Sequence, residues 1–424
     1  MMIHTYYRII FLVVFAILVR QEGVTTALAQ TSDSKSISKN DNTLPQNRRD
    51  FLNSVASTTA AVVSSGALVI PSVGASPSTN GAIQPKIKLP PIGLGCWAWG
   101  DAFFWGYNPT QDKDLNEVFD YVVKQTTTSA GSKTSVLLDT AELYGLGRSE
   151  SLIGDFSKKV VTNEETQQKI VVATKFAALP FRTKPENVVK AARGSQKRLD
   201  RPIDLYQIHF PNAFANEAYW DGLADAYQQG IVKNVGVSNY GVDAVRACHN
   251  HLAKRGVPLT SNQIQYSLLY RFPEQNGLLQ ACNDLNIQVL SYSPLALGLL
   301  TGKYISKPSV KQIAGPRKKL FEKAIDNPEF EKLLLTMKEV ASNHGDNANV
   351  AQVAINWCRA KGTIPIPGAR NLRQVESNYA SLSWDLNANE INMLDKAATY
   401  TYIDPAASPF PRVDKDTGLI MFDS

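Results

Sequence analysis

Ser135-Val136-Leu137-Leu138-Asp139-Thr140-Ala141-Glu142-Leu143-Tyr144 decides how this chain is read. A short apolar run without polar alternation is the pattern of a parallel strand covered on both faces. It ends on a carboxylate, and a tyrosine follows five residues later. The next such run, Ile170-Val171-Val172-Ala173-Thr174-Lys175, ends on an ammonium, and Asp204 to Phe210 carries His209 near its end.

Working outward, runs of this kind alternate with helical periodicity along the chain. A strand at residues 92–95 precedes a helix over 112–125, and the strand at 135–139 precedes a helix over 150–158. The strand at 170–175 is followed by a helix over 186–199, and that at 204–210 by one over 217–229. Strands at 234–238 and 261–266 precede helices over 242–255 and 273–285. The strand at 287–293 leads into a longer insertion whose last helix is near 350–360; a strand at 363–367 and a helix near 373–380 complete the series. Eight units over roughly 300 residues predict an α/β chain folded as a (β/α)8 TIM barrel with C-terminal helical insertions. A doubly wound sheet is the rival. Gly93-Leu94-Gly95-Cys96-Trp97-Ala98 resembles a dinucleotide fingerprint, and Gly145-Leu146-Gly147 begins another. Trp97, however, stands where a pyrophosphate needs close backbone approach, and no helix opens within the motif.

Of 424 residues, 44% are hydrophobic and 19% charged, as in an ordinary globular protein. The net charge of +6 is dispersed over helical stretches, which argues against nucleic acid as a partner. Four cysteines form no CxxC pair and five histidines no HExxH, so neither a disulfide framework nor a metal is expected. The four thiols read as small buried hydrophobes, with Cys96 set apart by its Gly-rich loop.

Residues 1–80 read as a targeting region, disordered or removed, and 81–424 as the barrel. Arg8 precedes an apolar run from Ile9 to Val19, and Ala27-Leu28-Ala29 offers a cleavage site, so 1–29 resembles a signal peptide. The run is too short to span a bilayer comfortably, and no stable membrane insertion of the mature chain is expected. Residues 30–75 combine a Ser/Thr/Asn-rich, transit-like stretch with Arg48-Arg49 before an Ala/Ser/Val-rich run. That pair reads either as a twin-arginine signal or as part of a transit peptide. The series predicts a plastid (chloroplast) reached through the secretory route, with stroma, thylakoid lumen and membrane surface all open.

Barrel enzymes carry their chemistry at the C-terminal ends of strands. Asp139, Lys175 and His209 stand there at intervals of roughly 35 residues, about one β/α unit, and Tyr144 lies in the loop after Asp139. Singly, they read as a helix cap, a rim cation and a loop histidine; together they form one constellation. A phenol has a pKa of about 10, and a neighbouring ammonium is expected to lower it. Asp139 would hold Lys175 charged, and His209 would hydrogen-bond the substrate oxygen. This chemistry suits reversible reduction of a carbonyl to an alcohol. A Schiff-base aldolase using Lys175 is the weaker reading, because Asp139 keeps the amine protonated.

Asp139-Thr-Ala-Glu-Leu-Tyr144-Gly, Ala173-Thr-Lys175-Phe and Gln207-Ile-His209 resemble the catalytic motifs of the aldo-keto reductases. Gly236-Val-Ser238-Asn239, Asn262-Gln263, Ser291-Tyr292-Ser293-Pro294-Leu295 and Ile366-Pro367-Gly368-Ala369 resemble the family's cofactor motifs, over about residues 86–400. Stretches such as 173–180, 261–271 and 364–370 are similar to its plastid and cyanobacterial branch, which includes pyridoxal reductases and is related to potassium-channel β subunits. The resemblance implies an NADP-dependent oxidoreductase acting on the CH-OH group of donors, with Tyr144 as general acid and Asp139, Lys175 and His209 completing the tetrad. It implies that Ser238, Asn239 and Gln263 hold the nicotinamide carboxamide and that Tyr292 stacks on the ring. Ser293, Leu295, Gly298, Lys303 and Arg317 would lie along the pyrophosphate, with Arg370, Gln374 and Asn378 at the adenosine. Arg370 suits a 2′-phosphate and hence NADPH over NAD. Ser377 departs from the Glu that many relatives carry against the adenine, and a weaker affinity or NADP preference is expected from it.

Trp97, Trp99 and Phe176 are the expected walls of the substrate pocket, drawn from an aromatic cluster that adds Phe103, Phe104, Trp105, Phe181 and Phe210. The expected partner is a small carbonyl compound, and the expected assembly a monomer or weak oligomer. The alternative class is an NADPH-binding regulatory or scaffold protein of the channel β-subunit type, with little turnover.

Overall fold

The computed structural model describes residues 87–399, apart from 126–134, 161–163, 180, 213–214, 312 and 314–316, together with 412–413 and 420–421. The expected targeting region, 1–80, lies outside the described residues. Eight parallel strands follow one another around a single sheet. They are β1 (Gly93–Gly95), β2 (Val136–Asp139), β3 (Ile170–Phe176), β4 (Leu205–Ile208), β5 (Val235–Ser238), β6 (Leu259–Gln265), β7 (Gln288–Tyr292) and β8 (Ile364–Pro365). A parallel bridge between Gly95 and Gly368 brings the last segment back to β1. The Gly95 amide donates to the Pro367 carbonyl at 3.0 Å. A Cβ on Gly95 would stand 2.8 Å from the Ile366 carbonyl oxygen, so glycine is what permits this closure. The Gly-rich segment is therefore a barrel strand, not a phosphate-binding turn.

A short helix, α1 (Ala102–Trp105), lies in the loop after β1, and longer helices cover the outside: α2 (Asp112–Lys124), α3 (Arg148–Val160), α4 (Pro185–Leu199), α5 (Asn216–Gln228), α6 (Val242–Lys254) and α7 (Leu278–Asp284). In α2 the buried residues Leu115, Val118, Phe119, Val122 and Val123 form one helical stripe. Asp112 and Asp114 in its first turn and Lys124 in its last complement the helix dipole. Between β7 and β8 lies the expected insertion, with α8 (Pro328–Ser342) and α9 (Val350–Ala360) capped by Asn327 and Asn349. Helices α10 (Leu372–Ala380) and α11 (Ala388–Thr399) follow β8. The helix expected over 273–285 is divided: Phe272–Gln275 ends and α7 begins after Gly277, whose φ of 81° no continuous helix accommodates.

Strand alternation sorts the core into two populations. Leu138, Val172, Tyr206, Val237, Ile264 and Val289 face outward and pack with the helices. Leu137, Val171, Ala173, Leu205, Leu290 and Ile366 face inward, with Leu89, and plug the barrel. Each leucine, valine or isoleucine among them contributes about 1.5–3 kcal/mol when buried. Above this plug the inward positions turn polar, and the candidate site begins there.

Candidate active site

Asp139, the last residue of β2, is paired in register with Ala173 of β3. The next inward position of β3 is Lys175, and its Nζ meets Asp139 Oδ1 at 2.6 Å. The same nitrogen donates to the Thr140 carbonyl at 2.9 Å and to the Tyr144 hydroxyl at 3.3 Å. Tyr144 reaches the site because Gly145 and Leu146 adopt left-handed backbone, turning the chain sharply after the tyrosine. A Cβ on Gly145 would stand closer than contact distance to the Gly100 backbone, so the turn is packed against the loop after β1. His209, one residue beyond β4, sets its ring edge-on to Tyr144 with centroids 5.7 Å apart. The four residues picked out by the strand-end spacing thus come together on one rim.

Lys175 has no solvent exposure and Asp139 only 2%. Burial lowers the Lys175 pKa, opposed mainly by the Asp139 carboxylate. Tyr144 runs against expectation. Its pKa is pushed well above the usual phenol value, first by burial and then by Asp139. The ammonium does not act alone, because a carboxylate 2.6 Å away cancels most of its field in a site that water does not relax. Burial, and then the Lys175 charge, hold His209 well below its ordinary pKa, so its imidazole is neutral. Its Nδ1 is buried with no hydrogen-bond partner. Cys96, also buried, has its thiol pKa raised by burial, so it lies beside Asp139 as a neutral thiol.

Beyond the tetrad a second polar network crosses β5, β6 and β7. Ser238 Oγ donates to the Gln263 carbonyl at 2.9 Å. Asn239 Nδ2 donates to Ser238 Oγ and to the His209 carbonyl, and its Oδ1 accepts from Tyr292 OH at 2.8 Å. Gln263 Nε2 donates to Asp139 Oδ2 at 2.7 Å, so the residue expected at the carboxamide also holds the second carboxylate oxygen. Asn239, Ser293, Ala296, Leu297 and Gly298 all have positive φ. Strain of this kind in non-glycine residues persists where a ligand loop needs the shape, and the polar cluster beside it fits a dinucleotide. Leu295 begins this turn, and Lys303 is exposed beyond it. Arg317 opens the helix Arg317–Ile325, but its side chain lies outside the described residues. Gln374 Oε1 accepts from the Arg370 amide, and buried Asn378 donates to the Gly368 carbonyl at 3.3 Å. Arg370 Nη1 donates to the Trp105 carbonyl at 3.2 Å.

Of the three expected pocket walls, two are sealed in the core and one is partly exposed beside the candidate site. Trp97 is partly exposed and its ring lies near-parallel to Tyr144 with centroids 6.2 Å apart. Phe176 follows Lys175 in the same strand, so alternation sends it outward; it is fully buried against Tyr219 of α5. Trp99 is likewise sealed, with Nε1 on the Ala369 carbonyl at 2.9 Å and its ring against Phe156. Neither has surface to offer a substrate. Among the described residues no cluster of metal-ligating side chains and no helix long and apolar enough to cross a membrane occurs.

A model of the Aldo/keto reductase family matches residues 91–399. The chain belongs to that family. Its relatives include the chloroplastic pyridoxal reductase of Arabidopsis thaliana, 41% identical over 321 residues, which are 74% of this chain and 84% of that one. Among solved structures, a thermostable aldo-keto reductase in complex with the inhibitor epalrestat is 25% identical with a TM-score of 0.56, over 74% of this chain and 96% of that one. An aldo/keto reductase from Klebsiella pneumoniae in complex with NADP and acetate shares the fold at 20% identity and a TM-score of 0.55, over 74% and 93%.

The aldo/keto reductase barrel also carries buried and half-buried carboxylates around the candidate site that motif reading passed over. Glu142 Oε1 accepts from the Ala177 amide at 2.6 Å and from Arg182 Nη1 at 2.7 Å, clasping the Tyr144 loop to the loop after β3. Asp101 caps α1 and accepts from Trp97 Nε1. Buried Glu150 accepts from Thr174 on the outer face of β3 and from Arg198 at 2.6 Å. A charged residue two positions before the tyrosine was the available signal for Glu142; its partner 40 residues away was not.

Proposed function

We propose that this aldo/keto reductase reduces an aldehyde or ketone to an alcohol with NADPH, Tyr144 giving the proton. The observation that carries the reading is the chain Asp139–Lys175–Tyr144, with 2.6 and 3.3 Å separations in a buried layer. When bound, NADPH supplies the hydride. Ser238, Asn239, Gln263 and Tyr292 would hold its nicotinamide end, Ser293, Leu295, Gly298, Lys303 and Arg317 its pyrophosphate, and Arg370, Gln374 and Asn378 its adenosine.

Tyr144, with its pKa raised, is fully protonated at neutral pH and has a proton to give. As negative charge grows on the carbonyl oxygen, the phenol proton transfers to it, and Lys175 Nζ, already bonded to the hydroxyl, stabilises the phenolate left behind. Neutral His209 offers a ring N–H to the same oxygen and cannot compete as a strong acid. Asp139 and Gln263 keep Lys175 fixed through this change.

Trp97 beside Tyr144, with Phe104 and Trp105 around it, favours a planar substrate. With the plant relative named as a pyridoxal reductase, a heteroaromatic aldehyde of the pyridoxal type is the proposed substrate. Following NADPH oxidation against pyridoxal, benzaldehyde, methylglyoxal and a quinone tests this. Pyridoxal or benzaldehyde should be turned over fastest; preference for methylglyoxal would contradict the aromatic pocket. NADPH binding without turnover of any of them would instead favour the regulatory reading.

We further propose that residues 1–80 direct the chain to a plastid, as the name of the plant relative supports, with 1–29 using the secretory route. A fluorescent fusion of residues 1–80 should reach the plastid. The same fusion lacking 1–29 should stay in the cytosol, and its arrival in the plastid would remove the secretory step.

A further inference from the structure

One carboxylate is set among the aromatic rings at the mouth of the site. Asp101 accepts from Trp97 Nε1 at 2.9 Å through Oδ2 and from the Phe104 amide at 2.8 Å through Oδ1. The indole held this way lies near-parallel to the Tyr144 ring, with an interplanar angle of 29°. Phe104 stacks with the same indole at 4.7 Å and Trp105 meets it edge-on at 5.5 Å. Asp101 therefore reaches the reacting centre through a single intervening ring.

Most of the other charges around that centre are matched in pairs, Arg370 being the exception. Lys175 faces Asp139, Arg182 faces Glu142, Arg148 faces Asp112 and Arg198 faces Glu150. Asp101 is held by N–H donors alone, and among the described residues no cation lies within ion-pair distance of it. Arg370 holds the far end of the same short helix through the Trp105 carbonyl, and it belongs to the proposed cofactor site. Burial raises the Asp101 pKa above the ordinary carboxylate value, and the donors from Phe104 and Trp97 offset this only in part. A carboxylate accepting from an indole N–H also makes the ring face more electron-rich, which attracts cationic or electron-poor rings.

We propose that Asp101 is a specificity-determining residue, whose carboxylate, fixed against Trp97 beside Tyr144, admits neutral or cationic planar carbonyl compounds and rejects those bearing a carboxylate or phosphate. The inference rests on the reductase reading and adds the charge of the substrate to it. An anion brought to this mouth meets a negative charge that has no ion-pair partner of its own, and the repulsion is felt both in binding and at the transition state.

The test compares kcat/KM for 4-nitrobenzaldehyde and 4-carboxybenzaldehyde, which match in size and planarity and differ in charge. The wild-type enzyme should prefer the nitro compound, and Asp101→Asn should shrink that preference about tenfold by raising kcat/KM for the carboxylate. Asp101→Ser, which keeps a helix-capping oxygen without the charge, should shift the ratio equally. Trp97→Phe removes the indole donor and leaves the carboxylate, so it should retain the wild-type preference. An Asp101→Asn ratio within twofold of wild type overturns the proposal. So does a Trp97→Phe ratio that falls as far as that of Asp101→Asn, because Asp101 would then act only by placing the indole. Failure of the wild type to reduce either aldehyde would remove the reductase reading and this inference together.

Discussion

The lower and upper halves of the barrel interior are built by the same strands and behave as different materials. On β3, Val171 packs in the apolar plug and Lys175, four residues on, carries the buried ammonium. On β2, Leu137 and Asp139 make the same change in two residues, as do Leu290 and Tyr292 on β7. The plug tolerates any apolar filling of the right volume. The layer above it requires each hydrogen-bond partner, since a buried ion without its mate costs far more than a missing methyl group. The comparison shows how a parallel barrel confines chemistry to its last inward positions while the layers beneath supply rigidity.

Breaking the upper layer should have the largest effect. Lys175→Met leaves Asp139 charged, buried and bonded only to Gln263. Urea denaturation should show a loss of about 3–5 kcal/mol, and steady-state assays a fall in kcat/KM of about a thousandfold. Breaking the lower layer should separate the two properties. Leu205→Ala, in the centre of the plug, should cost about 2–5 kcal/mol in the same denaturation and leave kcat/KM of the folded protein nearly unchanged. A comparable loss of activity would mean that the plug also sets the geometry of the tetrad.

Acid sharpens the contrast, because the plug has nothing to titrate. His209 binds its proton less readily when folded than when unfolded. Its contribution to stability is therefore full above the unfolded pKa of about 6.5 and lost as pH falls through the lower folded value. Denaturation midpoints should drop more between pH 7.5 and 5.5 for the wild type than for His209→Gln. The smallest effect is expected at the edge of the upper layer. Glu142→Gln weakens the clasp to Arg182 without touching the tetrad, and should lower kcat a few-fold with little change in NADPH affinity, as steady-state and binding titrations would show.

Which parts of this were legible beforehand follows from the range of the interactions. The strands were readable because a doubly covered parallel strand must be a short apolar run, and Asp139, Lys175 and His209 because each lies at or beside the end of one. Alternation also implied that Phe176 could not share a face with Lys175; aromatic content outweighed that period-two argument and misplaced it. Trp99 lay beyond local reading, since its acceptor is the carbonyl of Ala369 across the closure of the barrel. The bond between Gln263 and Asp139 joins residues 124 apart in sequence. The raised pKa of Tyr144 was missed for a physical reason: spacing shows that an ammonium is near, and only the fold shows that a carboxylate opposes its field and that the phenol is half-buried.

The central claim, that Tyr144 is the acid of a carbonyl reduction, is tested most directly by Tyr144→Phe. NADPH binding, followed by quenching of protein fluorescence, should match the wild type, because the ring remains and only the hydroxyl is lost. Turnover of the best aldehyde should fall about a thousandfold or more. A phenylalanine variant that binds NADPH and reduces the aldehyde within tenfold of the wild-type rate would contradict the account, since the proton would then come from another group.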